Sequence, residues 1–573
     1  TTNWTVSGTP VAFAANANVL FDDSASTFSV NLTTALAPSS MVVSNNASSY
    51  SFSGSGSLGS NMTLVKDGTN TATISTANTY TGNTTIKAGK VVLGNSTALG
   101  SSNATVTVQN GATLDLAGNA PGLQPIVVGG SGSDGNGALA NTVADQNNAL
   151  RAVTLTSNTV IRADALFGIR TAAETDPGFA GNGYKLIKTG ANHLSLNGGQ
   201  TVTNGLTVWD SDLGDVDIQQ GTLSFERRMT MGRATNTITV EPGATLLLFT
   251  LNQFVLPLQV KPVLLNNGTF SGNGNSATEG STFGGPVTLA SGTNFIQALT
   301  GTTLELLGPI GGAGNLFENS TAASTVLLGG TNTYTGKTVI QSGILALENN
   351  ASIANSSGIL VTTNSTLNLS ALAVSPWTLG AAQTLGGSGT VNGSVLANGT
   401  LSPGDALGTL TVNGDLTLNG NVLIDVNKSL SQSNDLTTVT GALNNTGSGS
   451  IIVSNFGPAL VAGDTFTLFS QAVAGGDAMT ITGGGATWVN HLSTDGSIVV
   501  ASVGPTSPEP ITVSSSAGNL NLSWPTVGWR LQVRTNSLTA GNWADWPNST
   551  SVNATNIPID AGNSSMFFRL VYP

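Results

Sequence analysis

The sequence LVKDGTNTATISTANTYTGNTTIKAG, residues 64–89, contains the pattern that decides the fold. A near copy, GTNTYTGKTVIQSG, occupies residues 330–343, and a degenerate third copy begins with LIKTG at residues 186–190. In that third copy the NTYTG element is replaced by QTVTNG, residues 200–205. Near copies in series are typical of a solenoid, because each coil contacts only its neighbours and tolerates insertions between copies. We therefore predict a solenoid and not a series of separate β-sandwiches.

The segments next to the repeats alternate between aliphatic and polar residues. ATVTVQ at residues 104–109 and ATLDLA at residues 112–117 are two such runs, and Asn110-Gly111 forms a turn signal between them. Alternation sends successive side chains to opposite faces of a strand, so Val and Leu can line an interior while Thr and Asp meet water. Helical periodicity is confined to residues 172–174. The pattern predicts an all-β chain with coils of roughly 20 to 25 residues.

Composition restricts the class of protein further. The chain has 573 residues, of which 39% are hydrophobic and only 8% charged, so it can bury a core and does not read as disordered. It contains no cysteine, which excludes disulfides and thiolate metal sites. The net charge is −12 and the densest group of cations is Arg227, Arg228 and Arg233, so we expect no nucleic-acid partner. We also expect no membrane-spanning helix, since no run of eighteen apolar residues occurs.

The composition changes near the C-terminus. Residues 503–510 read VGPTSPEP, and such a Pro-rich stretch is typical of a linker. After it, Trp524, Trp529, Trp543 and Trp546 fall within a short segment, enough aromatic area for a small independent core. We predict a β-solenoid over residues 1–502, a linker over 503–510 and a small β-sandwich domain over 511–573.

These motifs resemble the autotransporter-associated β-strand repeat. LVKDG, NTYTG and TTIKAG in residues 64–89 carry the resemblance, and LSPG at residues 401–404 followed by GTLTVNGDLTL at 408–418 is similar to a further recurrent element. Residues 520–570 are similar to a small C-terminal domain found in repeat proteins of the Verrucomicrobia group. The resemblance implies a right-handed parallel β-helix exported from a bacterial cell, with no catalytic residues. It implies an extracellular or cell-surface location, and the start at Thr1 without Met fits a chain whose signal peptide has been removed.

Few residues suggest chemistry. Asp210, Asp212, Asp215 and Asp217 are alternately spaced and form a weak candidate for calcium, although the twelve-residue loop pattern of an EF-hand is missing. The two histidines, His193 and His491, lie in different repeat contexts, and no Gly-x-Ser-x-Gly elbow accompanies them. We expect no catalytic residue and no cofactor, and we interpret the protein as a non-enzyme.

The leading functional hypothesis is a structural protein. In it, subunits join head to tail through solenoid ends or terminal strands into an extracellular fibre or surface layer. The assembly candidates are Phe567, Phe568, Leu570 and Tyr572 of the last strand. The alternatives are a monomeric adhesin or carbohydrate-binding surface protein and, less favoured, a polysaccharide lyase or hydrolase. Asn-x-Ser/Thr sequons make attached glycans a further possibility; examples are Asn3, Asn83, Asn319, Asn364, Asn398 and Asn553.

Overall fold

The computed structural model describes residues 4–171, 176–198, 209–251, 258–503, 509–535, 543–559, 562 and 565–571. The chain divides into two compact units, Thr1–Val374 and Ser375–Pro573. The segment 172–174, the QTVTNG copy at 200–205, Asn3 and Tyr572 lie outside the described residues, as do five of the eight residues of the predicted linker. The division into residues 1–502, 503–510 and 511–573 therefore stays a prediction.

The first unit consists of short strands. They are β1 Trp4–Val6, β2 Thr9–Val11, β3 Asn18–Asp22, β4 Ser29–Asn31, β5 Ser40–Ser44, β6 Tyr50–Ser53, β7 Thr63–Lys66, β8 Thr71–Ile74, β9 Thr84–Ile86, β10 Gly89–Leu93, β11 Val106–Val108, β12 Ala112–Asp115, β13 Ile126–Gly130, β14 Leu139–Asn141, β15 Gln146–Leu150, β16 Ala152–Ala163, β17 Phe167–Arg170, β18 Gly178–Ala180, β19 Leu186–Thr189, β20 His193–Asn197, β21 Val216–Ile218, β22 Thr222–Glu226, β23 Ile238–Val240, β24 Thr245–Phe249, β25 Val263–Leu265, β26 Thr269–Asn273, β27 Ser281–Phe283, β28 Val287–Leu289, β29 Thr293–Ala298, β30 Thr303–Leu306, β31 Ile310–Gly312, β32 Asn315–Asn319, β33 Thr325–Leu328, β34 Thr338–Asn349, β35 Ile359–Val361 and β36 Ser365–Leu372.

The second unit continues with short strands and a few helical turns. They are β37 Trp377–Leu379, β38 Thr384–Gly387, β39 Thr390–Asn392, β40 Val395–Ala397, β41 Thr400–Pro403, β42 Thr409–Asn413, β43 Leu416–Leu418, β44 Val422–Val426, β45 Leu436–Val439, β46 Leu443–Asn445, β47 Ser450–Asn455, β48 Thr465–Thr467, a 3₁₀ turn at Gly476–Ala478, β49 Thr480–Gly483, β50 Ala486–His491, α1 Leu492–Asp495, β51 Ser497–Val503, β52 Thr512–Ser516, β53 Asn519–Ser523, β54 Arg530–Thr535, β55 Ala544–Asp545, a 3₁₀ turn at Ser549–Ser551, β56 Ala554–Pro558 and β57 Met566–Val571.

Parallel stacking of successive coils defines the first unit. Leu64 of β7 pairs with Thr84 of β9, Thr84 with Val106 of β11, and Val106 with Ile126 of β13, all in parallel register. These four side chains are buried and lie 20 to 22 residues apart along the chain, which is one coil each. The structure thus confirms the predicted parallel β-helix.

A second column of apolar side chains runs beside the first. Ala72, Val91, Leu114, Leu139 and Ile161 occupy matching positions in β8, β10, β12, β14 and β16, and each is buried. In β8 and β10 the residues between them are half-buried on the other face, as the period of two along the sequence predicts, whereas every residue of β12 and β14 is buried. Burial of this kind is worth about 25 cal/mol per Å² of apolar surface, so each column stabilises the stack over its whole length.

In the second unit each coil has three strands. β37 pairs with β40, β40 with β43 and β43 with β46, while β38 and β39 begin two more parallel series with β41 and β42. From β37 to β44 each strand therefore pairs with the third strand after it, so these coils have three sheet faces. Antiparallel pairs follow, with β51 between β48 and β50.

The last part of the second unit is a small β-sandwich. One sheet consists of β52, β53 and β56, and the other of β55, β54 and β57, all antiparallel. Their shared core contains the buried residues Leu522, Trp524, Trp529, Leu531 and Ile557. The prediction that the tail tryptophans mainly build a core is confirmed for Trp524 and Trp529, and Trp546 packs against the same cluster.

An antiparallel hairpin lies at the start of the first unit. β1 and β2 pair from Trp4 to Val11 and form a sheet of their own. The Trp4 ring contacts the edge of Phe21 with 5.3 Å between ring centroids, and Phe21 in turn packs against Phe52 at 4.9 Å. This aromatic cluster covers the apolar interior of the first coil.

Truncation of one inward side chain tests the column. We expect Leu114→Ala to lower the free energy of unfolding by about 2 to 5 kcal/mol, because it leaves a cavity between two coils. Thr107→Ala, on the outward side of β11, is the control and should change it by no more than about 0.5 kcal/mol. Urea denaturation followed by circular dichroism measures both. Equal effects of the two substitutions would contradict the assignment of Leu114 to the inward face and Thr107 to the outward face.

Candidate functional site

The NTYTG element, residues 78–82, lies between β8 and β9 and joins its coil to both neighbouring coils. The Asn78 side chain accepts a hydrogen bond from the Leu58 amide at 2.9 Å and donates one to the Ala98 carbonyl at 2.7 Å. The hydroxyls of Tyr80 and Thr84 form a hydrogen bond of 2.8 Å inside the same coil. Asn78, Tyr80 and Thr84 are all buried, so these bonds satisfy groups that water cannot reach.

The second copy repeats this arrangement. The Asn332 side chain accepts a hydrogen bond from the Ile310 amide at 3.0 Å, and Tyr334 bonds to Thr338 at 2.6 Å. Thr338 also bonds to Ser356 of the next coil at 2.9 Å. The Asn oxygen and the Tyr and Thr hydroxyls are therefore bonded in both copies, whereas the buried Asn332 Nδ2 has no hydrogen-bond partner among the described residues.

The lysine of the LVKDG and LIKTG elements is buried. The Lys188 Nζ donates hydrogen bonds to the carbonyls of Thr189, Gly190 and Gln220 at 2.8 to 2.9 Å, and the Nζ of Lys66 bonds to the Gly68 carbonyl. Burial lowers the pKa of Lys188 to about 7. Sequence analysis missed this role, although Lys66 stands two residues after the inward-facing Leu64 and so shares its face.

A buried carboxylate holds the start of the GTLTVNGDLTL element, residues 408–418. Asp435 accepts hydrogen bonds from the Gly408 amide at 3.0 Å and the Asp425 amide at 2.9 Å. Burial raises the pKa of Asp435 to about 7. Gly408, the first residue of this element, is therefore bonded to a group 27 residues further along the chain.

The four candidate calcium ligands do not converge. Each carboxylate instead bonds to another segment: Asp210 to Thr230 at 2.5 Å, Asp212 to Arg233 at 2.8 Å, Asp215 to Asn236 at 3.0 Å and Asp217 to Lys185 at 3.1 Å. Within the described ranges, no group of three or more His, Cys, Asp or Glu side chains is placed to hold a metal ion. These aspartates link neighbouring coils.

His193 lies in a polar cluster on β20 and β22. Its Nε2 is 2.7 Å from the Ser224 hydroxyl, and Ser224 donates to Glu226 at 2.6 Å. Glu226 also accepts hydrogen bonds from Ser195 at 2.7 Å and from Asn197 at 2.6 Å. This contact was not predictable from the sequence, because Ser224 and His193 are 31 residues apart and become neighbours only through coil register.

The carboxylate of this cluster is placed differently from the carboxylate of a serine-hydrolase triad. Glu226 accepts a hydrogen bond from the Ser224 hydroxyl itself, and its Oε1 lies 3.9 Å from the His193 Nε2, the same nitrogen that contacts Ser224. In a catalytic triad the carboxylate instead holds the imidazole Nδ1–H. Burial lowers the pKa of His193, which is a property of its partly enclosed position. The second histidine, His491, is exposed at the start of α1.

The remaining candidates occupy separate places. Phe568 and Leu570 of β57 pack against the sandwich core, and Phe567 lies on the opposite face of that strand. Arg227 and Arg228 are buried, so they do not form an exposed basic patch.

The sequons at Asn83, Asn319, Asn364 and Asn553 are exposed, and the one at Asn398 is half-buried. None of the helices that the structure describes is long and apolar enough to cross a bilayer.

These coils and their connectors define a parallel β-helix protein. Residues 64–93 and 323–347 match the family described as passenger-associated-transport-repeat. These two stretches are similar to that repeat, and the resemblance seen in the repeat motifs of the sequence is confirmed for them.

Comparison of the chain with solved structures and with curated proteins adds little to the repeat match. The crystal structure of the Haemophilus influenzae Hap adhesin is similar, with 14% sequence identity and a TM-score of 0.24. The match covers 89% of this chain but only 64% of the adhesin chain, which is less than two thirds of it. A similarity at this TM-score supports no conclusion about function. No curated protein matches the chain.

Asn78→Ala tests the role of the NTYTG element. The substitution leaves the Leu58 amide and the Ala98 carbonyl unpaired in a buried place, so we expect the free energy of unfolding to fall by about 2 to 4 kcal/mol. The exposed Asn103→Ala is the matched control and should be nearly neutral. Thermal and urea unfolding measure the difference. Equal stability of the two variants would show that the bridge is dispensable.

The Asp435 carboxylate predicts a pH dependence. Its pKa is about 7 in the folded state against 3.8 for an ordinary aspartate, so the folded state holds the proton more tightly. The stability that this proton contributes is present below about pH 4 and is lost as the pH rises to 7. We expect Asp435→Asn to flatten this decline in urea midpoints, while the exposed Asp405→Asn leaves it unchanged. An unaltered slope in the Asp435 variant would contradict the assignment.

Proposed function

We propose that the chain is a bacterial passenger protein that is exposed at the cell surface or released, and that it acts by binding other macromolecules. The observation that carries this proposal is the pair of passenger-associated-transport repeats, built into a β-helix as coil connectors. Because the motif residues connect coils, a macromolecular ligand is bound by the outward-facing side chains of the strands. An adhesin or carbohydrate-binding role uses such a scaffold directly.

The outward-facing side chains of stacked strands form rows of hydroxyl and amide groups, which suit weak binding over an extended surface. Thr85 and Thr107 stand in register on adjacent coils, and in the second unit the side chains of Asn392 and Asn413 bond to each other at 2.8 Å. Hydroxyl and amide groups both donate and accept hydrogen bonds. Repeated along many coils, they suit the hydroxyls of glycans or the backbone of an extended protein ligand.

Binding by the purified full chain tests this proposal. We expect saturable binding of labelled protein to a subset of glycans on an array, or to immobilised host-cell or bacterial surfaces. An albumin-coated surface supplies the background. Absence of saturable binding to every surface would overturn the proposal.

A fibre subunit is the second candidate function, and one strand favours it. β57 lies at the edge of its sheet, where β54 is its partner among the described strands. An edge strand can receive a strand from another copy through backbone hydrogen bonds. Phe568 and Leu570 already serve the domain core, so such assembly would use the backbone edge together with Phe567.

Negative-stain electron microscopy separates the two candidates. A fibre subunit gives filaments whose length increases with protein concentration, and Leu570→Pro, which removes a backbone N–H and distorts the edge strand, shortens them. A binding passenger gives single particles at every concentration. Single particles in the most concentrated samples would exclude self-assembly as the main role.

A further inference from the structure

The outer face of the β55–β54–β57 sheet carries a group of arginines and aromatic rings, which we call the arginine face. Its members are Arg530, Gln532, Arg534, Trp543, Phe567 and Arg569. It belongs to the C-terminal sandwich and is distinct from the coil connectors and from the His193 cluster. No motif in the sequence indicated it.

Strand alternation explains why these residues share a face. Arg530, Gln532 and Arg534 occupy every second position of β54, while Leu531 between them is buried in the sandwich core. Across the antiparallel pair, Gln532 stands opposite Arg569. The same rule places Phe567 opposite Arg534 on the outer side.

Side-chain contacts hold the polar groups in a fixed arrangement. The Arg569 Nε donates to the Gln532 oxygen at 2.8 Å, and the Gln532 amide donates to Asp545 at 2.7 Å. Asp545 also accepts a hydrogen bond from Arg530 at 3.2 Å. Arg569 remains exposed to solvent, so the network orients a guanidinium that a ligand can reach.

The indole ring of Trp543 supports two of the arginines. The Arg569 guanidinium carbon lies 4.5 Å from the ring centroid and that of Arg534 lies 5.9 Å from it. Cation–π contacts of this kind fix the plane of a guanidinium, which lowers the entropy lost when it pairs with a carboxylate. Trp543 itself is half-buried.

The charge of the C-terminal segment differs from that of the chain. Residues 511–573 contain three arginines, no lysine and two aspartates, whereas the whole chain has a net charge of −12. All three of these arginines lie on the arginine face. Positive charge is therefore concentrated on one sheet face of an otherwise acidic protein, which favours an anionic ligand.

We propose that the arginine face binds a carboxylated polysaccharide, that is, a glycan containing uronic acids. This inference rests on the proposed binding function and names its ligand class. The planar guanidinium groups pair with sugar carboxylates, and Phe567 and the edge of Trp543 contact the apolar faces of the sugar rings. Nucleic acid fits less well, because neutralising its phosphates requires many more cations than three.

The test uses the full chain and immobilised polygalacturonate, with dextran as the neutral glycan and a single-stranded oligonucleotide as the other polyanion. Biolayer interferometry at 50 and 200 mM salt should show binding to polygalacturonate that weakens with salt. We expect Arg569→Gln to weaken it by about tenfold or more, since it removes a hydrogen bond between charged groups. Arg569→Lys keeps the charge but loses the planar group, so it should give an intermediate loss.

The matched control is Lys87→Gln, which removes one exposed charge from the β-helix and should leave binding unchanged. Near-ultraviolet circular dichroism of the tryptophans checks that each variant is folded, and Arg534→Gln replaces Arg569→Gln if that variant is not. Equal binding to dextran, tighter binding to the oligonucleotide, or equal losses in the arginine variants and the control would overturn the inference. If the wild type binds other surfaces but not polygalacturonate, this inference fails and the proposed function stands.

Discussion

Parallel backbone pairing between successive coils is the constraint on which the structure depends. It places equivalent residues of neighbouring coils directly above one another, so each inward position becomes a column, such as Leu64, Thr84, Val106 and Ile126. A column of aliphatic side chains needs no hydrogen-bond partners. A polar group in a column must find its partner in the same coil or in an adjacent one, because the interior excludes water.

That requirement explains what the repeat conserves within this chain. In both copies the Asn of NTYTG reaches a backbone group of the preceding coil, and the Tyr hydroxyl meets a Thr four residues later. Lys188 satisfies three carbonyls at once. The identity of residues 78–82 and 332–336 therefore reflects the connection of coils, which is why the motif itself indicates a scaffold and identifies no ligand.

Much of the fold was predictable from local patterns. A period of two, short runs ending in turns and near copies in series were enough to predict the β-helix, and the tail tryptophans predicted the small sandwich. The polar contacts were not predictable, since they join residues about 20 to 30 positions apart and depend on register. Asp210 to Asp217 illustrate this: close in sequence, they bond to four different partners because each faces a different part of the adjacent segments.

The charged side chains of the β-helix and those of the terminal sandwich are arranged differently. In the β-helix, charged groups such as Lys90 and Asp115 pair with each other across coils, at 2.8 Å in that case, and so contribute to stacking. In the terminal sandwich, the arginines of β54 and β57 are oriented by Gln532, Asp545 and Trp543 while one of them, Arg569, stays exposed. Ordering an exposed guanidinium costs side-chain entropy and adds little stability at a surface. An arrangement with that cost is better explained by recognition of an anion than by the stability of the domain.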